Sequence, residues 1–144
     1  MYEKDYILRM IEMLGVLLRA IFGMITRGNY QQAEEQLHEA YLTMLRKDAS
    51  FFHRIPDDEL TTTLISDHNY THAHLEILAE LFYAEAVMQY AKDQKANSRS
   101  CFHKSLLLYD FVDKTYKTFS AERIDRMAEI RNRIAEMDEM KNNN

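Results

Sequence analysis

Glycine and proline are nearly absent from this chain, which has three Gly and one Pro in 144 residues. Average proteins contain about 7% Gly and 5% Pro, and a fold of many strands depends on such residues at its turns. No segment alternates apolar and polar residues for long enough to predict a strand. The sequence therefore predicts an all-α protein with long helices.

Cysteine and positive charge are also scarce. Cys101 is the single cysteine, so the chain cannot form an intramolecular disulfide, and this favours the reducing cytoplasm. The net charge is -5, and no local cluster of Lys and Arg offsets it, which argues against a nucleic-acid partner.

Long uninterrupted apolar runs are missing as well. The N-terminal segment is the most apolar one, but Arg9, Glu12 and Arg19 interrupt it well before the roughly 20 apolar residues that a membrane span requires. We expect no membrane-spanning segment and no membrane partner.

Apolar residues recur at helical spacing in most of the chain. The pattern predicts five long helices, at 2–26, 30–47, 69–92, 96–118 and from Ser120 onward, and one short helix at 56–66 that begins with Pro56. The connector 48–55 contains Phe51 and Phe52, which we expect to contact the core. The length favours one domain, residues 1–140, followed by a tail, 141–144, that should fray.

Inward-facing residues can be assigned on the last helix. Ser120 is a good N-cap for it. The residues expected to face the core have helical spacing: Ile124, Met127, Ile130, Ile134 and Met137.

A turn at Gly28 and Asn29 separates the first two helices. Gly28 can adopt the left-handed conformation that ends a helix, and Asn29 can cap the helix that follows. So short a connection predicts that the two helices lie against each other as an antiparallel hairpin.

The spacing of Gly28, Tyr30, Ala33, Leu37 and Ala40 resembles the second half of a tetratricopeptide repeat. In that repeat small Ala residues let two antiparallel helices approach closely, while the large residue fills the space between repeats. The first half fits less well, because Ala20 and Ile21 reverse the expected order of large and small residues.

A second, more divergent copy is predicted at residues 82–106. Glu85, Gln89 and the lack of Gly near Asp93 depart from the repeat pattern. The residues that keep its spacing are Phe82, Ala86, Ser98, Phe102 and Ser105.

The segments YEKDYILRMIE and IPDDEL…LAELFYAEA resemble an uncharacterised bacterial family of tetratricopeptide-like proteins. The resemblance implies a short right-handed array of antiparallel hairpins, a fold that commonly serves as a scaffold. Two hairpins are fewer than the three or more repeats that normally form a stable array, so another helix or a second subunit should cover the exposed faces.

Two apolar helix faces are candidate partner-binding surfaces, one on the first helix and one on the long helix after residue 69. An open groove there would bind a peptide or helix by apolar contact, and the first helix could instead mediate a homodimer. The alternative is that another helix of the same chain covers these faces. The candidate residues are Leu18, Phe22, Ile25, Tyr83, Val87 and Tyr90.

Several histidines have the spacing of metal ligands. His68 and His72 are four residues apart, and Glu35 with His38 forms the Glu-x-x-His pair found in di-iron bundles. The helical wheel, however, places His72, Glu35 and His38 on polar faces, and His68 falls near a helix end.

Motifs for catalysis are missing from the sequence. Cys101 and His103 are two residues apart, which puts them on different faces of a helix, and no Gly-rich phosphate loop follows a strand. We therefore predict a non-catalytic helical scaffold or protein-interaction module without cofactor or metal. The alternative is a helical-bundle metal-binding protein or enzyme that uses His68, His72, Glu35 and His38.

Overall fold

The computed structural model describes the backbone of residues 2–117 and 119–142, together with their side chains except at residues 2–5, 7 and 8. All regular elements in these ranges are helical, which confirms the predicted all-α class. The α-helices are α1 (Tyr2–Thr26), α2 (Tyr30–Ala40), α3 (Ala49–His53), α4 (Leu60–His68), α5 (His72–Ala91), α6 (Lys95–Tyr116) and α7 (Ala121–Asn142).

Helix boundaries differ from the prediction in the first half of the chain. Helix α2 ends at Ala40 and continues as a π-helical turn, Tyr41–Leu45, while a 3₁₀ turn, Asp57–Glu59, precedes α4. The connector 48–55 contains the short helix α3, which the sequence does not predict. Its Phe52 is fully buried and Phe51 packs against the core, so the expected core contact of this segment is confirmed.

Gly28 ends α1 as predicted, with a φ of 79°. Its N–H donates to the carbonyl of Ile25 at 3.0 Å, and the N–H of Asn29 donates to the carbonyl of Met24 at 2.8 Å. These two bonds define a Schellman motif. Asn29 occupies the N-cap position of α2 as predicted, and its carbonyl accepts the N–H of Ala33 at 3.1 Å, but its side chain makes no capping hydrogen bond.

The turn between α5 and α6 has the same motif without glycine. Asp93 has a φ of 63°. Its N–H donates to Tyr90 at 3.0 Å, and the N–H of Gln94 donates to Gln89 at 2.8 Å. Asp tolerates the left-handed region better than most residues, which explains how this turn forms where the sequence lacks glycine.

Small residues hold α5 and α6 close together. The Ser98 hydroxyl donates to the carbonyl of Ala86, and the Ser105 hydroxyl to that of Ala79, each at 2.7 Å. The residue farther along α6 thus pairs with the residue earlier in α5, so the two helices are antiparallel. The Ala86, Ser98 and Ser105 positions, predicted from spacing alone, thus lie in the closest packing of the fold.

Helix α5 is the centre of the core. It contacts α1 and α2 as well as α6, and α7 packs in turn against α6. Buried side chains from α1 through α7 form one hydrophobic cluster. The linker before α4 is pinned to α6 by Lys104, whose buried ammonium donates to the carbonyl of Ile55 at 3.0 Å and lies 2.5 Å from Asp57.

Helix α7 begins at its predicted cap, but the side that it turns toward the core differs from the predicted side near its start. The Ser120 hydroxyl accepts the N–H of Arg123 at 3.2 Å, which confirms the cap. Met127, Ile130 and Met137 are buried as predicted, but Ile124 is 46% exposed, and Arg123 is buried instead.

The predicted chain ends lie partly outside the described residues. Thr118, the predicted end of the helix before α7, is one such residue, and the described part of that helix ends at Tyr116. Within the expected frayed tail 141–144, α7 remains helical through Asn142. In the part of the chain that the structure describes, no helix combines the length and apolarity needed to cross a membrane.

Gly28→Ala should destabilise the protein by about 1 kcal/mol, because a residue with a Cβ is strained at this left-handed φ although the surrounding space is open. Gly15→Ala is the matched control: it lies inside α1, where its Cβ would be 3.9 Å from the Arg19 side chain, and it should stabilise by about 0.5 to 1 kcal/mol. Urea denaturation measures both. Equal changes in unfolding free energy for the two variants would contradict the left-handed conformation assigned to Gly28.

Candidate functional site

A groove of about 520 Å³ lies on α5 between α1 and α7. Its α1 wall is apolar except for Arg19, and its α7 wall is charged. The lining includes three arginines and five carboxylates, a net charge of -2. These charged residues are Arg19, Arg123, Arg126, Glu76, Glu80, Glu122, Asp125 and Glu129.

The apolar wall consists of side chains that α1 turns toward α5. Leu14 and Leu18 are buried beneath the groove, while Ile11 is 39% exposed along it. Phe22 ends this wall with an edge-to-face contact on Tyr83, at 5.9 Å between ring centroids. A ligand in the groove would therefore meet a strip of aliphatic and aromatic surface on one side.

Arg123 anchors the charged wall. One of its guanidinium nitrogens lies 2.6 Å from a Glu76 oxygen, and another lies 3.1 Å from Asp113. Only 4% of its side chain is exposed, whereas both carboxylates keep more contact with solvent. Arg123 thus ties α7 to α5 and α6 at once.

Arg126 continues this wall one helical turn later. It lies 3.3 Å from Glu80, and its guanidinium carbon is 3.8 Å from the centroid of the Tyr83 ring. Burial opposes its charge, but Glu80 and neighbouring groups raise the pKa of Arg126 above its usual value. The cation is therefore fixed in place by an ion pair and an aromatic face.

Two tyrosines donate to the carboxylates of this wall. The Tyr109 hydroxyl donates to Glu80 and the Tyr83 hydroxyl donates to Glu129. Burial, and then these carboxylates, raise the pKa of both phenols, so each remains a neutral donor. Both carboxylates therefore already have hydrogen-bond partners within the chain.

The six predicted partner-binding residues lie mainly inside this packing. Leu18, Ile25 and Tyr83 are buried, and Phe22 is half-buried against Tyr83. Helix α7 covers the face of α5 that carries Tyr83. This is the alternative left open by the sequence, in which another helix of the same chain covers the candidate face. The two remaining residues, Val87 and Tyr90, are half-buried, and Arg133 lies 5.1 Å from the Tyr90 ring.

The predicted metal-ligand set is dispersed. Glu35 and His38 are exposed on α2. The His68 ring contacts Phe51 at 5.1 Å, and the His72 ring lies 5.0 Å from Tyr116. These four residues do not form a common site.

A polar cluster that the sequence does not predict lies beneath α3. Nε2 of His53 is 2.5 Å from Oε2 of Glu85, and the Cys101 thiol is 3.3 Å from the same oxygen. The Tyr41 hydroxyl donates to the other Glu85 oxygen at 3.0 Å. The residues come from α3, the π-helical turn, α5 and α6, so no local motif could have revealed them.

Burial controls the protonation of this cluster. Burial opposes ionisation of Glu85, but the contact with His53 and the bonds from Cys101 and Tyr41 hold its pKa below its usual value. Burial, and then the Glu85 charge, raise the pKa of the Cys101 thiol. Cys101 is therefore a neutral thiol here, the opposite of an activated nucleophile.

No protein-family model matches the chain, and no curated protein or solved structure is significantly similar to it. The resemblance to tetratricopeptide proteins therefore stays a prediction, and the groove and the buried cluster are the observations from which a function can be proposed.

Arg123→Ala should destabilise the protein by about 1 to 3 kcal/mol, because it leaves Glu76 and Asp113 without their shared cation. The matched control is Arg99→Ala. Arg99 pairs with Asp138 at 2.7 Å on an exposed part of α6 and α7, and its loss should hardly change the urea midpoint. Equal losses of unfolding free energy in the two variants would show that the buried ion pairs of Arg123 stabilise the protein no more than the exposed pair of Arg99.

Proposed function

We propose that this protein is a non-catalytic helical interaction module that binds an amphipathic helix of a partner protein in the groove between α1 and α7. The observation that supports this most is the two-sided chemistry of the groove, mainly apolar on α1, where Arg19 is the one charged lining residue, and charged on α7. Helix-in-groove recognition combines these two kinds of contact.

The charge of the lining favours a basic partner. Five carboxylates against three arginines leave an acidic excess, and Glu122 and Asp125 are exposed at the edge of the groove. The partner helix would place its apolar side on Ile11 and Phe22 and its Lys or Arg residues along α7. Opposite charges of this kind accelerate encounter and select the orientation of binding.

The hairpins support a tetratricopeptide-like scaffold for this module. Both close with a Schellman motif, at Gly28 and Asp93, and the small residues of the second hairpin form its closest helix contact. The proposed location is the cytoplasm, where Cys101, a buried free thiol, would stay reduced.

A homodimer through α1 is a second candidate, supported by a different surface. Tyr6, Met13 and Val16 share one side of α1, and each is more than half exposed, at 55%, 59% and 61%. A second copy could bury this stripe against its own. Leu18 and Phe22, proposed from the sequence for this role, lie instead toward the groove.

Replacing Ile11 with Asn should weaken binding of a basic amphipathic peptide roughly tenfold, because it removes apolar contact area at the groove edge. Val16→Asn changes an equally apolar residue of α1 outside the groove and should leave binding unchanged. Fluorescence anisotropy with a labelled Leu-rich, Lys-bearing helix measures this.

A twin peptide with Glu in place of Lys tests the charge of the groove. It should bind at least tenfold more weakly, and added salt should reduce the difference. Equal affinity for the two peptides, or equal effects of the two substitutions, would contradict groove recognition.

Val16→Glu should convert a dimer to a monomer, because a carboxylate in the centre of an apolar interface is costly to desolvate. Ile11→Glu, on the groove side of the same helix, should leave the dimer intact. Light scattering at tens of micromolar measures the mass. A wild-type protein that is monomeric at this concentration would refute the α1 dimer.

A further inference from the structure

Three side chains of types that can bind a metal ion meet at one point in the core. Their ligand atoms, a nitrogen of His53, an oxygen of Glu85 and the sulfur of Cys101, all lie within 4.8 Å of one another. Imidazole, carboxylate and thiolate are the ligand types that zinc uses in proteins, whereas a thiolate disfavours Mg²⁺ and Ca²⁺.

The imidazole of His53 has an unsatisfied nitrogen at this point. Its Nε2 is buried and makes no well-directed hydrogen bond with the described residues, although Oε2 of Glu85 is only 2.5 Å away. A buried nitrogen without a well-directed hydrogen bond is uncommon in a native structure and requires an explanation. A metal ion between the two atoms would satisfy both lone pairs.

Two of the three ligand-atom separations can be compared directly with those of a tetrahedral ion. Zn–N and Zn–O bonds of about 2.0 Å and a Zn–S bond of about 2.3 Å place tetrahedral ligand atoms roughly 3.3 to 3.5 Å apart. The sulfur of Cys101 already lies 3.3 Å from Oε2 of Glu85. The contact between His53 and Glu85 must lengthen by roughly 0.8 Å, and Nε2 of His53, which lies within 4.8 Å of the Cys101 sulfur, must come to about 3.5 Å from it.

Surrounding groups would orient the ligands and admit the ion. Tyr41 donates to the Glu85 oxygen that faces away from Cys101, which fixes the carboxylate plane. Such outer hydrogen bonds are typical of metal sites. His53 keeps 30% of its side chain exposed, whereas the Glu85 side chain is 13% exposed and Cys101 is buried, so an ion would enter from the His53 side.

We propose that His53, Glu85 and Cys101 bind one Zn²⁺ ion, with water as the fourth ligand. On binding, Zn²⁺ displaces the proton that Nε2 of His53 holds against Glu85, so that His53 keeps its proton on Nδ1, and Cys101 releases its thiol proton to solvent. The thiolate and the carboxylate together balance the charge of the ion. The ion would join α3 to the α5–α6 hairpin. This site is independent of the groove and shares no residue with the histidines that the sequence singles out.

Isothermal titration of the chelator-treated full-length chain with Zn²⁺ tests the proposal, together with absorption spectra after Co²⁺ substitution. We expect one ion per chain and a thiolate-to-cobalt charge-transfer band. Cys101→Ser should abolish that band, and both Cys101→Ser and His53→Ala should weaken Zn²⁺ binding at least tenfold.

His38→Ala is the matched control, because His38 is an exposed histidine of α2 that is not one of the three ligands. It should bind Zn²⁺ like the wild type. The proposal is overturned if the wild-type protein does not bind Zn²⁺, if its Co²⁺ form lacks the thiolate band, or if Cys101→Ser binds as tightly as the wild type. Circular dichroism verifies that each variant folds, and the wild-type cobalt spectrum decides the question if a variant does not.

Discussion

The rest of the structure depends on the carboxylates that α5 carries into the centre of the fold. This helix is buried on more than one face, yet Glu76, Glu80 and Glu85 project from it. A carboxylate removed from water must be paired or hydrogen-bonded, since desolvation otherwise costs several kcal/mol. Each of the three therefore requires a partner from another element.

Those partners determine which elements surround α5 and how they face it. Glu76 and Glu80 pair with Arg123 and Arg126, so α7 turns an arginine-bearing side toward the core. Glu85, farther along α5, takes its contacts from α3, α6 and the π-helical turn. The groove and the buried cluster thus both follow from the need to pair the carboxylates of α5, and they lie at different positions along that helix.

Local signals in the sequence predict much of the fold. Gly28 marks the first turn because its left-handed φ is a property of the residue itself, and the spacing of Ala86, Ser98 and Ser105 marks the close approach of α5 and α6 because helical periodicity places them on one face. The class, the long helices and the Ser120 cap all follow from such short-range rules.

The sites could not be predicted in the same way, because their residues meet only through tertiary packing. Ile124 looked like a core residue by periodicity, but pairing Arg123 with Glu76 takes precedence and rotates Ile124 outward. His53 lies in a segment without a helical signal, and its partner Glu85 registered only as a departure from the repeat pattern. The sequence contained one clue to the ion pairs between α5 and α7. Two arginines on α7 are three residues apart and two glutamates on α5 are four residues apart, so each pair lies on one face of its helix.

Helix α7 is attached less firmly than the other long helices of the second half. Four of its 22 residues are buried and one of these is an arginine, whereas α5 buries eleven of its 20. Its hold on the neighbouring hairpin also comes from guanidinium groups lying on aromatic rings, at Tyr83 and Phe102. Elements with few buried apolar contacts open at a lower free energy than the core. Opening of α7 should therefore cost less free energy than opening of the α5–α6 hairpin beneath it.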